Sequence, residues 1–175
     1  MSCIIGITHR NKIYIAGDSC SSSDDFTIRT ISRPKVFRNR DLIIGFAGSF
    51  RAGYALMPNI WTPPSNIESI DQIAEHIRTH LDSMSINLSE DGQATCPSVY
   101  LIGWNKNVYT LWSDFHISCY TEKFVSIGVG SDFAYGSLYE TQDLKISVID
   151  KINRALDCAS HFCSAVKPPY VIERG

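Results

Sequence analysis

Two residues at the start of the chain carry nucleophilic atoms, Ser2 and Cys3. Removal of Met1 would make Ser2 the N-terminus. One residue would then hold both a hydroxyl and a free α-amine, a pair that can serve as nucleophile and base together. The ordinary α-amine pKa of about 7.7–8.0 suits a base working near neutral pH. Removal of two residues would instead expose the thiol of Cys3, the stronger nucleophile. Asp18 closes the same opening stretch, MSCIIGITHRNKIYIAGD. His76 and His80 stand four apart on one predicted helix. A metal pair would need a third ligand, which the neighbouring sequence does not offer. Both lie at the border of an apolar stripe, so an exposed or flank-packed pair is expected, with no metal and no cofactor. The six cysteines include no CxxC spacing, so free thiols are expected in place of a zinc or redox motif.

Several elements must position these groups. Residues 3–8 and 12–17 read as a strand pair joined by a turn at His9 to Asn11. Residues 19–34 are polar, with a Ser21–Asp25 tip, and are expected to be a solvated loop. Pro34 makes Arg33 extended, and the chain resumes as a strand through Lys35-Val36-Phe37. Leu42 to Phe46 is an apolar strand ended by Ala47-Gly48-Ser49, and Phe50 to Met57 can start a helix. Ile70, Ile73, Ile77, Leu81 and Met84 form one helical stripe capped by Ser69. Residues 85–97 read as loop. Four short strands follow, Val99 to Trp104, Val108 to Trp112, Ile117 to Tyr120 and Phe124 to Gly128, as an antiparallel meander. A helix is predicted over Phe133 to Glu140. A second runs along Ile149, Ile152, Leu156, Ala159 and Cys163, with a Ser147–Asp150 capping box. Tyr170 to Ile172 is a closing strand. The fold class is therefore α+β, with two antiparallel sheets and helices outside each, in a single domain spanning 1–175.

Composition narrows the function classes. The 175 residues carry a formal net charge of -2, with 44% hydrophobic and 19% charged residues. No Lys/Arg block suits nucleic acid or an anionic membrane. No run is long enough to span a bilayer, and the N-terminus lacks the pattern of a signal peptide. A cytoplasmic globular protein is expected.

SCIIGI, IAGDS, PKVFR and IIGFAGSF resemble the proteasome β-subunit and HslV peptidase family. The closer likeness is to small proteasome-like proteins of bacteria and phages, which typically begin Met-Thr-Cys-Ile-Val-Gly. The similarity continues through YLIGWNKNVYTLWSDF, SIGVGSDFAYGSL and ALDCASHFCSAVKPPYVI. It implies the N-terminal nucleophile hydrolase fold, a four-layer αββα sandwich. It also implies that Ser2 stands at the position of the nucleophilic threonine, Asp18 at the acid, Lys35 at the lysine after one extra loop residue, and Gly48 at the oxyanion N–H. Ser2 keeps the hydroxyl but lacks the methyl that restricts a β-branched rotamer. Val129 stands where the family has a serine, with Ser131 two residues later.

These positions make chemical sense together. The Lys35 ammonium would favour the Ser2 alkoxide and disfavour protonation of the terminal amine. Asp18 would keep that ammonium paired, and a glycine at Gly48 lets a carbonyl approach the backbone. Asp18 lies sixteen residues after Ser2, the family spacing, which favours Ser2 over Cys3. The resemblance implies a ring of identical subunits acting on peptides or unfolded proteins, usually fed by a separate AAA+ ATPase unfoldase. Two alternatives stand beside a peptidase: a catalytically silent ring subunit, and a small-molecule amidase using Cys3. Any substrate side-chain pocket would draw its wall from residues near Arg33 and Ser49 to Gly53.

Overall fold

A computed structural model of the chain describes residues 1–22, 28–90 and 93–175. The elements in order begin with β1 (Ile4–His9), β2 (Lys12–Gly17), β3 (Cys20–Ser22), β4 (Ile28–Thr30), β5 (Val36–Asn39) and β6 (Leu42–Gly48). Then come α1 (Phe50–Tyr54), α2 (Ile70–Ser83), β7 (Leu88–Glu90), β8 (Gln93–Thr95), β9 (Ser98–Trp104), β10 (Asn107–Leu111), β11 (Ile117–Cys119) and β12 (Phe124–Ile127). The last are α3 (Ser131–Thr141), α4 (Val148–Phe162) and β13 (Val171–Arg174).

Two antiparallel sheets form, one ordered β12-β1-β2-β13 and the other β11-β10-β9-β6-β5. Three apolar clusters define four layers. Ile73, Ile77 and Leu81 of α2, with Ala52 of α1, pack on Phe46, Tyr100 and Ile102 of the five-stranded sheet. Ala134 and Leu138 of α3, with Ile152, Leu156 and Ala159 of α4, pack on Ile5, Ile7 and Ala16 of the four-stranded sheet. Ile4, Ile15, Val36, Ile43, Leu101 and Ile127 fill the space between the sheets. Strand alternation produces this division: Ile4 faces the other sheet while Cys3 and Ile5 face the helices. Burying each of these large side chains contributes about 1.5–3 kcal/mol. The αββα arrangement agrees with the fold class read from the sequence.

Local signals account for the element ends. The β1–β2 turn has Arg10 and Asn11 both at positive φ, 49° and 61°. The β9–β10 turn has Asn105 and Lys106 at 47° and 66°. These are the backbone angles of two-residue hairpin turns. Ser69 and Ser147 cap α2 and α4 by accepting from the backbone N–H of Gln72 and Asp150. The Ser147 hydroxyl also donates to the Asp150 carboxylate, at 2.7 Å.

Four expectations need correction. Cys20–Ser22 and Ile28–Thr30 pair as an antiparallel hairpin where a loop was expected. The tip at Ser23 to Asp25 lies outside the described residues. Leu88–Glu90 and Gln93–Thr95 form a second hairpin inside the expected 85–97 loop. The helix at Phe50 stops at Tyr54, three residues short of Met57. The meander has three strands and not four, because β12 crosses to the other sheet and pairs with β1. No helix among the described residues is long and apolar enough to cross a membrane.

Candidate active site

The candidate residues converge at one open end of the space between the sheets. Ser2 lies two residues before β1, which is a central strand held between β12 and β2. Pairing of Ile4 with Gly17 in one direction and Ile127 in the other brings Asp18 and Gly128 alongside Ser2 and Cys3. Lys35 lies just before β5 and Gly48 ends β6, both in the opposite sheet. The site is thus built across the sheet-to-sheet gap.

Asp18 and Lys35 tie the two sheets together. Lys35 Nζ donates to Asp18 Oδ2 at 2.9 Å, with both side chains at 0% exposure. Asp18 Oδ1 accepts from the Cys3 N–H at 2.9 Å, and Oδ2 accepts from the Cys20 N–H at 2.8 Å. The carboxylate therefore has three donors, two of them fixed backbone groups. Such a buried charge is tolerable because its partner and its hydrogen bonds are all supplied by the fold.

Ser2 is itself buried, at 2% exposure. Its hydroxyl donates to the Met1 carbonyl oxygen at 2.6 Å, and Lys35 Nζ donates to the same oxygen at 3.3 Å. The hydroxyl and the ammonium thus meet at one acceptor. On the other side of Ser2, its carbonyl accepts from the Gly130 N–H at 3.3 Å. Gly128 adopts φ 95°, and a side chain there would collide with the Ser2 carbonyl oxygen. Only a residue without Cβ can make this turn so close to Ser2.

Ser2 opens onto a cleft of about 480 Å³. Gly48 and Ser131 also line it, with Met1, Ala47, Val99, Trp112 and Val129. Gly48 has φ 124° and is exposed, while the next residue anchors the turn through Ser49 N–H to the Pro97 carbonyl at 2.9 Å. Ser131 Oγ lies 3.5 Å from Asp132 Oδ1.

Other candidates sit elsewhere. Arg33 Nε donates to Met57 Sδ at 2.9 Å, and the guanidinium stacks on the Tyr54 ring 4.2 Å from its centre. Ala52 and Gly53 lie on the buried face of α1. Neither Arg33 nor Ser49 to Gly53 is among the described residues lining the Ser2 cleft. Cys3 is fully buried on the helix-facing side of the sheet. Burial pushes its thiol from the ordinary 9.0 up to about 12, against the smaller lowering effect of the Ser126 hydroxyl. His80 Nε2 lies 3.0 Å from the Ala55 carbonyl and its ring leans on Trp61, while His76 is exposed. No group of three or more metal-ligating side chains occurs among the described residues.

The Cys3 environment gives a direct expectation. At pH 8, iodoacetamide should label exposed Cys119 within minutes and leave Cys3 and Cys96 unlabelled, as read by peptide mass mapping. Labelling of Cys3 at the rate of Cys119 would contradict its buried, protonated state. A thiol pKa raised in the folded state favours folding below the unfolded value, and the benefit is lost as pH rises from about 9 towards 12.

Sequence reasoning missed Trp112 and Val99 as parts of the cleft. Their signal was strand parity: Val108 faces the other sheet, and Trp112 shares its parity at the strand's end.

No protein-family model and no curated protein sequence matches the chain. Solved structures do. Thiobacillus denitrificans BPH in complex with epoxomicin is similar over 99% of this chain and 97% of its own, with TM-score 0.83 and 15% identity. HslV from Trypanosoma brucei is similar over 98% of each chain, with TM-score 0.72 and 15% identity. Anbu, the ancestral β-subunit from Yersinia bercovieri, is similar over 99% of this chain and 81% of its own, with TM-score 0.67 and 12% identity.

Proposed function

We propose, for a chain that has the N-terminal nucleophile hydrolase fold, a proteasome-like peptidase whose nucleophile is Ser2, exposed by removal of Met1. The observation that carries this reading is the fully buried Lys35–Asp18 pair, whose ammonium reaches the Met1–Ser2 junction beside an open cleft. With Met1 gone, the Ser2 nitrogen becomes an α-amine. Lys35 then holds its positive charge beside the Ser2 hydroxyl and the new amine, favouring the alkoxide and the unprotonated base. Asp18 keeps Lys35 in place.

Ser2 Oγ attacks the peptide carbonyl carbon, and its proton passes to the α-amine, directly or through one water. The Gly48 N–H stabilises the oxyanion. The C–N bond breaks, the leaving amine takes the proton from the α-ammonium, and an ester remains on Ser2. Water attacks the ester by the same acid–base route and frees the acid and the enzyme. No metal or cofactor takes part.

Concealment of the site in a ring of identical subunits would suit this activity. A closed ring joins unlike surfaces of neighbouring copies. Such a chamber would take unfolded chains in the cytoplasm, delivered by a separate AAA+ ATPase unfoldase. A monomer by light scattering at micromolar concentration would count against the ring.

One observation favours a second reading, a silent ring subunit: Val129 stands where the resemblance implies a serine. A subunit that kept Met1 would have an amide, and no free amine, at Ser2. Intact mass of the purified, assembled protein separates the two. The peptidase reading expects loss of one methionine residue and hydrolysis of fluorogenic peptides. Retention of Met1 in such a sample, without hydrolysis, would favour the silent subunit.

A further inference from the structure

The Ser2 cleft is unusual in what it lacks. None of its described lining residues has a charged side chain. Ala47, Val99 and Ile127 belong to the apolar layer between the sheets, which here reaches the surface. Trp112 and Val129 complete the wall, at 39% and 49% exposure. Two large apolar side chains therefore face solvent beside the nucleophile. Both are held in place. The Trp112 indole Nε1–H donates to Ser118 Oγ at 3.0 Å. Val129 is fixed between Gly128, whose turn abuts Ser2, and Gly130, whose N–H bonds the Ser2 carbonyl. A wall set before the ligand arrives costs little ordering on binding.

Met1 shows which part of a peptide belongs there. It lines the cleft and is bonded to the Ser2 nitrogen. That nitrogen becomes the α-amine, which must hand its proton to the leaving amine. The leaving amine must therefore dock beside it, and the residue carrying that amine enters the space Met1 leaves. We propose that the cleft holds the leaving-group segment and selects peptides with a large apolar residue immediately after the scissile bond. The inference rests on the peptidase reading for its catalytic meaning. A volume of 480 Å³ accommodates a leucine, methionine or phenylalanine side chain with its backbone. An aspartate or lysine there would lose hydration with no oppositely charged side chain in the lining. The Val129 departure from the family pattern thereby acquires a role in specificity.

The experiment uses the full chain beginning at Ser2, released from a fusion by a protease that leaves no extra residue. Two peptides share one acyl segment and differ only in leucine or aspartate after the scissile bond. The leucine peptide should have a kcat/KM about tenfold or more higher. Trp112→Ala should bring the ratio to within about twofold, while Trp112→Phe, which keeps an aromatic wall, should retain most of it. A second readout needs no turnover: the Trp112 indole N–H signal is followed by NMR during titration with leucinamide or aspartic acid amide. Only leucinamide should shift it. Where turnover is measurable, equal rates for the two peptides overturn the inference and leave the peptidase reading standing. Where no peptide is cleaved, the titration decides: a leucinamide-specific shift supports the apolar seat while the peptidase reading fails, and no shift overturns the seat as well.

Discussion

Ser2→Ala should abolish peptide hydrolysis, by about a thousandfold or more, with the fold and assembly unchanged. Loss of a nucleophile removes the covalent route entirely and leaves only binding and oxyanion stabilisation. The structural cost is small, since among the described residues the Ser2 hydroxyl bonds only to the Met1 carbonyl. Thermal melting within a degree or two of the parent would verify this. Ser2→Thr is the informative companion. It keeps the hydroxyl and adds the methyl that restricts χ1, so activity should stay within about tenfold of the parent. A Ser2→Ala protein that cleaves at the parental rate would exclude Ser2 as nucleophile. Each variant needs its own intact mass, because a retained Met1 would silence any of them for a different reason.

Lys35→Met should cost both stability and activity. The side chains are similar in length, but the charge beside Asp18 disappears. Asp18 keeps its bonds from the Cys3 and Cys20 N–H groups and loses its counter-ion in a fully buried site. Breaking a buried pair from one side costs about 3–5 kcal/mol. For a domain of this size that lowers Tm by roughly 6–20 °C. Adding Asp18→Asn removes the stranded charge while leaving an amide oxygen for a backbone N–H. The double variant should recover more than half of the lost stability. It should nevertheless remain inactive, since no ammonium is left beside Ser2. Stability and activity would thus separate in one cycle. A stable double variant with parental hydrolysis would remove Lys35 from the mechanism.

Much of the fold was legible because its helices and central strands are strongly patterned. The Ile70 to Met84 stripe gave α2, with Ser69 as its cap, because Ile73, Ile77 and Leu81 must all face one sheet. The α4 stripe was also legible, although Ile149 at its start stays 39% exposed. The short hairpins were not legible. Cys20–Ser22 and Ile28–Thr30 carry no alternation of apolar and polar residues, and all three residues of β4 are exposed. The departure of β12 was hidden for another reason. Phe124 to Ile127 reads as a strand whichever neighbour it chooses, and the choice of β1 over β11 is made by tertiary packing. At the site, the resemblance supplied Ser2, Asp18, Lys35 and Gly48, and the fold brings all four to one end of the sheet gap. The cleft wall was not legible, since Val99 and Trp112 meet Val129 only after two sheets have stacked.

The placement of β1 also has a consequence in time. Ser2 is made almost first, yet the turn that grips its carbonyl comes from Gly128 and Gly130. At ribosomal speeds of about 5–20 residues per second, that turn follows on the order of ten seconds later. Until it has left the ribosome, β1 has an open edge on one side and the Ser2 carbonyl lacks the Gly130 N–H. On the peptidase reading, a nascent chain would carry Ser2 without this grip, and synthesis itself would keep a young subunit from cutting its neighbours.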